Sequence, residues 1–436
     1  MEEKKFDFNQ LIGYILIAGL ITFMVYNNKG DETNQAEENN TEQTANTTET
    51  TNEPVAVDAT KDYVANSSDS TQVAQLKSKL GHFAASGINA KEQSTTVETD
   101  LLKLVFSNKG GYLKSVQLKD FKTFDQKPLY LVKDDNASFN LNFGTTDSRI
   151  LNTKDLFFEP TVNKSGDKQV VSMKLKVSDT KFLEYRYEIK KDDYMIDFYV
   201  RSTGLSNVIN NATPINLNWD LKTTRSEKSL SYEQQNTYLH YNADEVECFT
   251  YTSDEEDQVE EVSWVGYKQH FFSSILLTDK AFPKATMKQK MLTEARVSES
   301  DSPYLKQYNL ATTIPLEGGE INQKMQWYYG PNDYHILKNY EDKDLTEIIN
   351  LGDFFLFKYL NKLLFIPVFE FLSGFISNYG LIIILMTIVV RLLMSPLVYK
   401  SYLSSAKMKV IRPEMQAINE KYPDKKDSQT LKNTKS

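Results

Sequence analysis

The sequence is poor in the residues that most often build covalent or metal-dependent sites. Its 436 residues include one cysteine, Cys248, and four histidines. One cysteine cannot form an internal disulfide, and a thiolate metal site needs several. The histidines show no metal-binding spacing, at His82, His240, His270 and His335. There is also no glycine-rich phosphate loop. The sequence therefore predicts no metal and no cofactor.

An excess of positive charge is also lacking. The formal net charge is -9 at pH 7, and the middle of the chain contains no basic cluster. A nucleic-acid partner needs a basic face that neutralises phosphates, so we predict no nucleic acid. Acid-rich stretches such as 254–257 are interpreted as solvated loop rather than as paired catalytic carboxylates. No constellation of acid and base residues indicates an enzyme.

A low mean hydropathy of -0.48 hides two apolar blocks, one at each end of the sequence. The first, Leu11–Tyr26, contains no charge. A bilayer core needs roughly 20 helical residues, and Phe6 and Phe8 can extend the run to that length. The alternative is a cleaved signal peptide, but acidic residues offset the two lysines before the run, and no small-x-small cleavage site follows it. We predict a membrane anchor over 1–28.

The residues after this anchor change character twice. Residues 29–68 are rich in Asn, Thr and Glu, which cannot bury enough apolar area to offset the entropy of ordering, so a disordered spacer is predicted. Helical spacing of apolar residues then predicts a short helix at about 70–86. Residues 69–332 as a whole are predicted to form a folded extracytoplasmic domain.

A period of two dominates this region and predicts strands. Apolar residues alternate with polar ones over Val171–Val177 and again over Leu183–Ile189, and the short link between them predicts a hairpin. One apolar face and one wet face are typical of antiparallel sheets, so the predicted fold is mostly β, a large antiparallel sandwich. The alternation recurs at Phe139/Leu141/Phe143, Ile215/Leu217/Trp219/Leu221 and Met325/Trp327/Tyr329. Core positions are also predicted at Trp264, Val265, Gly266, Phe271 and Phe272.

Helical periodicity replaces the strand pattern after Gly330-Pro331. Residues 333–353 are predicted to be a helical linker, and 354–378 an amphipathic helix. The amphipathic helix carries its charges on one side, at Lys358, Lys362 and Glu370. Such a helix lies in the membrane interface instead of crossing the bilayer.

The second apolar block is a predicted spanning helix at 379–399. Basic residues dominate the 400–436 segment beyond it, and by the positive-inside rule this end is cytoplasmic. The acidic spacer then lies outside, and both spans agree only if 354–378 does not cross. We expect a multi-pass membrane protein with residues of about 27–353 outside the cytoplasm.

One cation, Arg391, lies within this second span. Burying arginine at mid-bilayer costs about 2.5–3.5 kcal/mol on insertion scales. Thr387, Arg391 and Ser395 are four residues apart and form one polar stripe, which predicts a hydrated groove. In the alternative, Arg391 snorkels to the interface or pairs with a carboxylate of a partner helix, since the span itself contains no acidic residue.

Residues of this span and of the segment beyond it resemble the YidC family of membrane protein insertases. The landmarks of the membrane region are Tyr379-Gly380, Ile382–Ile384, Thr387, Arg391, Pro396-Leu397, Ala406-Lys407-Met408, Pro413 and Gln416-Ala417. Those of the periplasmic region are Asn108–Gly111, Gly266–Gln269 and Tyr329–Pro331. The Asn/Thr/Glu-rich spacer resembles the Bacteroidetes form, and the sandwiches of this branch resemble the sugar-mutarotase fold.

The resemblance implies a function and a set of partners. Arg391 matches the family's arginine, which faces a hydrophilic groove and receives polar segments of nascent inner-membrane proteins. Sec translocon components and ribosomes are implied partners on the cytoplasmic side. The family core has five spanning helices and the sequence contains the first, so we expect a truncated chain that does not insert proteins alone. The alternative hypothesis is a doubly anchored periplasmic binding module or chaperone that uses the sandwich surface.

Overall fold

The computed structural model describes residues 63–293, 302–352 and 355–421. The predicted anchor at 1–28 and most of the predicted spacer at 29–68 lie outside these residues. All described residues belong to one compact unit, and their architecture is mostly β.

A short helix, α1 (Ser70–Leu80), leads into the sheets and confirms the helical spacing in the sequence. Its first turn is capped by Asp69, whose carboxylate accepts hydrogen bonds from the backbone N–H groups of Thr71 and Gln72. This cap satisfies two of the donors that a helix start leaves unpaired. A 3-10 turn, Gly81–Gly87, follows and buries Phe83 against the domain.

Two antiparallel sheets make up the sandwich. The smaller sheet has the order β1-β2-β3-β4, with β1 (Ser94–Glu98), β2 (Leu102–Ser107), β3 (Leu113–Lys122) and β4 (Pro128–Val132). The larger sheet has 14 strands, and its main path is β6-β5-β11-β16-β15-β18-β10-β9-β8-β7. Its strands are β5 (Ala137–Gly144), β6 (Ile150–Asn152), β7 (Glu159–Ser165), β8 (Lys168–Ser178), β9 (Lys181–Lys190), β10 (Met195–Thr203), β11 (Ile215–Thr224), β12 (Tyr238–Asn242), β13 (Val246–Cys248), β14 (Glu255–Lys268), β15 (Phe272–Met291), β16 (Tyr304–Ile314), β17 (Leu316–Glu317) and β18 (Glu320–Pro331).

The predicted hairpin is confirmed, because β8 and β9 pair antiparallel and close with Ser178 opposite Lys181. Two other interpretations of the sequence were wrong. The acid-rich stretch 254–257 is not all loop, since β14 begins at Glu255 and exposes these charges on a strand. Phe271 is half exposed at the β14–β15 turn, whereas Phe272 is buried. A turn does not continue the alternation of a strand, so two neighbouring aromatic residues can differ in burial there.

Aromatic side chains from both sheets fill the core. Phe139 makes edge-to-face contacts with Tyr185, Phe198 and Trp327 at centroid distances of 5.4–5.8 Å. Trp219 packs edge-on against Trp327, with centroids 4.9 Å apart. Offset and edge-to-face pairs add roughly 0.5–1.5 kcal/mol each to the area that they bury. Because alternate residues of each strand point to the core, the paired strands together place their aromatic side chains in one continuous layer.

A tight turn between β2 and β3 contains the first periplasmic landmark. Gly110 and Gly111 have φ values of +84° and +68°, which residues with a Cβ rarely adopt. A Cβ on Gly111 would also lie 3.0 Å from the ring of Phe158. Asn108 secures the turn, because its amide donates to the Lys91 carbonyl and its oxygen accepts from the Gln93 N–H.

The chain leaves the sandwich through α3 (Tyr334–Lys338), after the short α2 (Leu230–Gln235) earlier in the domain. Two 3-10 turns, Glu341–Lys343 and Leu345–Ile348, complete the predicted linker. Leu337, Leu345 and Ile348 are fully buried, so the linker packs on the sandwich. The indole N–H of Trp264 donates to the Lys343 carbonyl at 2.9 Å and holds the linker in place.

The predicted amphipathic helix consists of three pieces. These are α4 (Phe355–Leu360), a π-helical turn (Asn361–Phe365) and α5 (Ile366–Ser373). Pro367 is in the first turn of α5, where its missing N–H costs little. Proline cannot donate back to the preceding turn, which accounts for the π-helical turn before it. The last element, α6 (Tyr379–Lys421), is 43 residues long.

Truncation of the aromatic core should destabilise the domain strongly. We expect Phe198→Ala to lower the free energy of unfolding by about 3–5 kcal/mol, because a fully buried ring leaves a cavity among four aromatic neighbours. Denaturant unfolding followed by tryptophan fluorescence measures the change. Phe124→Ala is the matched control, since Phe124 is 46% exposed, and it should shift stability by no more than about 0.5 kcal/mol. Equal effects for the two variants would contradict the proposed core.

Candidate functional site

The membrane element of the described chain is α6. Its stretch Tyr379–Pro413 is the one described helix that is long and apolar enough to cross a bilayer. At 1.5 Å per residue, the full 43 residues extend roughly 65 Å, about twice the hydrocarbon thickness. The helix therefore continues without a break past residue 399, the predicted end of the spanning segment. Two prolines, Pro396 and Pro413, are accommodated inside it.

The predicted polar stripe lies on one face of α6. The Thr387 hydroxyl donates to the Ile383 carbonyl at 2.8 Å, and the Ser395 hydroxyl donates to the Leu392 carbonyl at 2.8 Å. Both hydroxyls thus find their hydrogen-bond acceptors within the helix, as such groups do in apolar surroundings. Arg391 between them is exposed, and its guanidinium contacts no carboxylate among the described residues. A cation with five donors is left facing outward from an apolar helix.

The charged side of the amphipathic helix has partners that the sequence analysis missed. Glu347 of the linker accepts from Lys358 at 2.5 Å and from Lys362 at 3.2 Å. The two lysines are four apart and on one helical face, so one carboxylate reaches both. Further along, His335 lies 3.5 Å from the carboxylate of Glu370. We call Glu347, Lys358 and Lys362 the linker joint.

Electrostatics favour the ion-paired form of the linker joint at neutral pH. Burial alone would raise the pKa of the Glu347 carboxyl, but hydrogen bonds and charge from Lys358 and Lys362 outweigh it. The pKa is therefore held below its usual value of 4.5. The amide of Asn361 adds a neutral contact, because it donates to the Leu351 carbonyl at 2.6 Å. The joint thus couples the sandwich, through its linker, to the helix that leads into the membrane.

Two of the histidines, His240 and His270, have aromatic neighbours in the sandwich. His240 is 5% exposed, and burial together with Lys268 lowers its pKa to about 3, so it is neutral at physiological pH. His270 stacks on Phe271 at the β14–β15 turn. Within 63–293, 302–352 and 355–421, no three His, Cys, Asp or Glu side chains are grouped so that they could hold a metal ion.

Two family models match adjacent parts of the chain. Residues 94–366 match the YidC periplasmic domain, and residues 371–435 match the 60Kd inner membrane protein family. The first match alone covers more than half of the sequence. The chain belongs to the YidC family of membrane protein insertases. The order of the two matches follows the order of sandwich and membrane helix in the structure.

Relatives with the YidC name are similar over most of this chain. The membrane protein insertase YidC of Parabacteroides distasonis is 33% identical over 436 residues, which cover 96% of this chain and 67% of the relative. The protein of that name from Porphyromonas gingivalis strain W83 is 35% identical, with coverage of 84% and 58%. The chain thus spans about two thirds or less of these relatives' length.

Solved structures are similar at lower identity. YidC from Thermotoga maritima is 15% identical, with 74% of this chain and 77% of that one covered and a TM-score of 0.33. A crystal structure of an active YidC insertase is 16% identical, with 75% and 61% covered and a TM-score of 0.33. A galactose mutarotase-like protein from Lactobacillus casei is 12% identical, with 55% and 100% covered and a TM-score of 0.34.

Removal of the charge at the centre of the linker joint should loosen the amphipathic helix. Each exposed ion pair contributes roughly 0.2–1 kcal/mol, so Glu347→Gln should raise the population of undocked helix several-fold. Hydrogen–deuterium exchange of 355–373 in nanodiscs measures this. Glu341→Gln is the matched control, because Glu341 is an exposed linker carboxylate that makes no ion pair within the described chain.

Acidification should have the same effect as Glu347→Gln in the parent chain. A carboxyl whose pKa is depressed by folding stabilises the folded arrangement above its ordinary pKa and loses that contribution as the pH falls through the depressed value. Exchange of 355–373 should therefore be slow at neutral pH and rise below about pH 4.5 in the parent, with little further rise in the variant. Parallel pH profiles would show that Glu347 does not hold the helix.

Proposed function

We propose that this chain acts in the insertion of membrane proteins, with Arg391 as the cation that receives the polar segment of a substrate. The observation that carries the proposal is a guanidinium that meets no carboxylate among the described residues, in an apolar helix of a chain that belongs to the YidC family. In a low-dielectric setting a cation attracts an acidic or polar segment strongly and lowers the cost of its partial crossing.

The position of Arg391 supports a groove open to the cytoplasm. If Tyr379 marks the outer interface, Arg391 lies roughly 18 Å further along the helix, beyond the middle of a 30 Å core. Ser395 lies one turn closer to the cytoplasm and Thr387 one turn closer to the outside. This stripe supplies a cation flanked by hydroxyls on the route of an entering segment. The substrate's apolar helix then leaves into lipid, and its partitioning supplies the free energy without nucleotide or cofactor.

The proposed topology follows from charge. We propose that the sandwich is periplasmic, that 1–28 and 379–399 span the inner membrane, that α4 and α5 lie at the periplasmic interface, and that 400–436 is cytoplasmic. Exposed aromatic residues suit an interfacial position, among them Phe357 on α4, Phe371 on α5 and Phe375 just beyond α5.

Partners are proposed on the same basis. Nascent inner-membrane proteins are the substrates, and the basic cytoplasmic half of α6 is the surface for Sec translocon components and the ribosome. Lys400, Lys407 and Lys409 are exposed on this half. Clustered cations on this half attract the anionic surface of a partner at short range.

The role of Arg391 can be tested by complementation of a strain depleted of its own insertase. The sequence is joined to the remaining C-terminal part of the Parabacteroides relative, so that all variants share one background. Arg391→Ala should reduce insertion of substrates with acidic translocated segments by about tenfold or more, since the loss of 2 kcal/mol or so of attraction has that effect. Arg391→Lys should retain most activity, because the groove needs a cation.

Arg412→Ala is the matched control for this experiment. It removes the same side chain from the same helix, in the part that we place in the cytoplasm, and should leave insertion of acidic substrates close to the parent level. If Arg391→Ala equals the parent for every substrate, or if Arg412→Ala is equally defective, the groove cation is assigned wrongly.

Native chemistry allows a direct test of topology. Cys248 is exposed on the sandwich, so a membrane-impermeant maleimide added from outside should label the parent chain. A Cys248→Ser, Met408→Cys chain should be labelled only after the membrane is permeabilised, because Met408 is exposed on the proposed cytoplasmic half of α6. Labelling of Met408→Cys in sealed cells would overturn the topology.

A further inference from the structure

The outer face of the large sheet contains an unusual concentration of asparagine. Strand β5 contains Asn-Leu-Asn at 140–142 and strand β11 contains the same triplet at 216–218. Asparagine is disfavoured in strands, since its side chain competes for backbone hydrogen bonds. The intervening Leu141 and Leu217 are fully buried, so alternation directs the asparagines away from the core.

Strand pairing aligns these asparagines into rows across the sheet. Asn142 lies opposite Asn216 in the β5–β11 register, and Asn152 of β6 lies opposite Asn142. On the other side Asn216 faces Thr313 of β16. A second row runs two residues away, through Asn218, Ala311, Thr286 and Gln258. We call these two lines the amide rows.

The amide rows line an open groove of about 530 Å³. Ala311 is the smallest residue of the lining, and it stands between Asn218 and Thr286 in the second row. The groove crosses β6, β5, β11, β16, β15 and β14. At about 4.8 Å between neighbouring strands, six strands give a length of roughly 24 Å. A ligand that fills the groove is therefore extended.

Hydrogen bonds join most of the amide rows, including Asn216 to Asn142 and Gln258 to Thr286, and leave two side chains open. The Asn152 oxygen accepts from the amides of Asn140 and Asn142 at 3.1 and 3.0 Å, which sets the orientation of all three side chains. By contrast, the side chains of Asn218 and Thr313 make no hydrogen bond within the described chain. These groups face the groove with unused donors and acceptors, on a scaffold of paired strands that needs no rearrangement to bind.

The chemistry of the lining selects a class of ligand. One charged residue, Lys284, lines the groove and no acidic residue does, so neither a cation nor a multiply charged anion is matched. A polypeptide is recognised through its main chain together with pockets for its side chains, and Ala311 is the one apolar residue here. A neutral polyhydroxyl chain offers both a donor and an acceptor at each of its hydroxyl groups, as each side-chain amide does. We propose that the amide rows bind a neutral oligosaccharide.

Binding is tested with the full chain in nanodiscs of synthetic phosphatidylcholine, which carry no glycan. Maltotetraose, cellotetraose and chitotetraose are the probes. Glucose is the monosaccharide control, and a Gly/Ser peptide of similar length represents the alternative ligand class. Isothermal titration calorimetry should show binding of at least one tetrasaccharide. Glucose should bind at least tenfold more weakly, because the rows repeat along the groove.

The variant Asn216→Val, Asn218→Val separates binding from folding. It removes two amides from the groove and should weaken tetrasaccharide binding at least tenfold. Its Tm should equal or exceed that of the parent, because valine suits a strand better than asparagine. Asn163→Val, an exposed strand asparagine outside the groove, is the matched control and should leave binding unchanged.

Three outcomes would overturn the proposal. They are the absence of binding to all three tetrasaccharides, unchanged affinity in the double variant, and binding of the Gly/Ser peptide in place of the saccharides. Loss of binding together with a large fall in Tm is resolved by Asn218→Thr, which introduces a strand-forming residue of similar size. That variant should bind more weakly than the parent at an unchanged Tm.

Discussion

Burial of aromatic side chains between two antiparallel sheets is the constraint on which the rest of the structure depends. Trp219, Trp327 and Phe139 come from strands that are far apart in sequence, yet they touch in one layer. Side chains alternate along a strand. Once one aromatic residue is placed in that layer, it is therefore determined which residues of the same strand point into the core and which point away from it. The register of β5 against β11 and of β11 against β16 follows from it.

The same alternation determines what the outer face of the sheet can offer. Where the linker covers it, the outer face supplies Trp264, which holds the Lys343 carbonyl, and Gly266, whose missing side chain makes room for Ile348. Elsewhere on this face, Asn142 of β5 and Asn216 and Asn218 of β11 line the open groove. One sheet therefore serves as an anchoring surface for the membrane-proximal segment and as a polar groove.

Membrane and sandwich are connected by charge as well as by chain. Glu347 lies on the folded linker, and its two lysine partners lie on the amphipathic helix that precedes the spanning helix. In this arrangement the three charges partly neutralise one another where the side chains are half-buried and unpaired charge would be costly. Arg391 has no such partner among the described residues, and that difference separates a structural charge from the cation that we propose for substrate.

The sequence by itself determined the local periods and hence the class of fold. Alternation over 171–177 and 183–189 predicts the β8–β9 hairpin, and the stripe Thr387, Arg391 and Ser395 is predicted by helical spacing alone. Both follow from interactions within a few residues. Phe271 and the start of β14 were interpreted wrongly, because a turn interrupts the alternation and its position depends on the partner strand.

Only the tertiary structure decided which distant residues meet. Nothing in the spacing of Glu347 and Lys362 indicates that they pair, since the contact depends on how the linker folds back on the sandwich. The two Asn-Leu-Asn triplets are visible in the sequence, but their alignment into rows depends on β11 pairing with β5, which lies more than 70 residues earlier. Long-range register is set by the burial of the shared core, and local sequence patterns do not encode it.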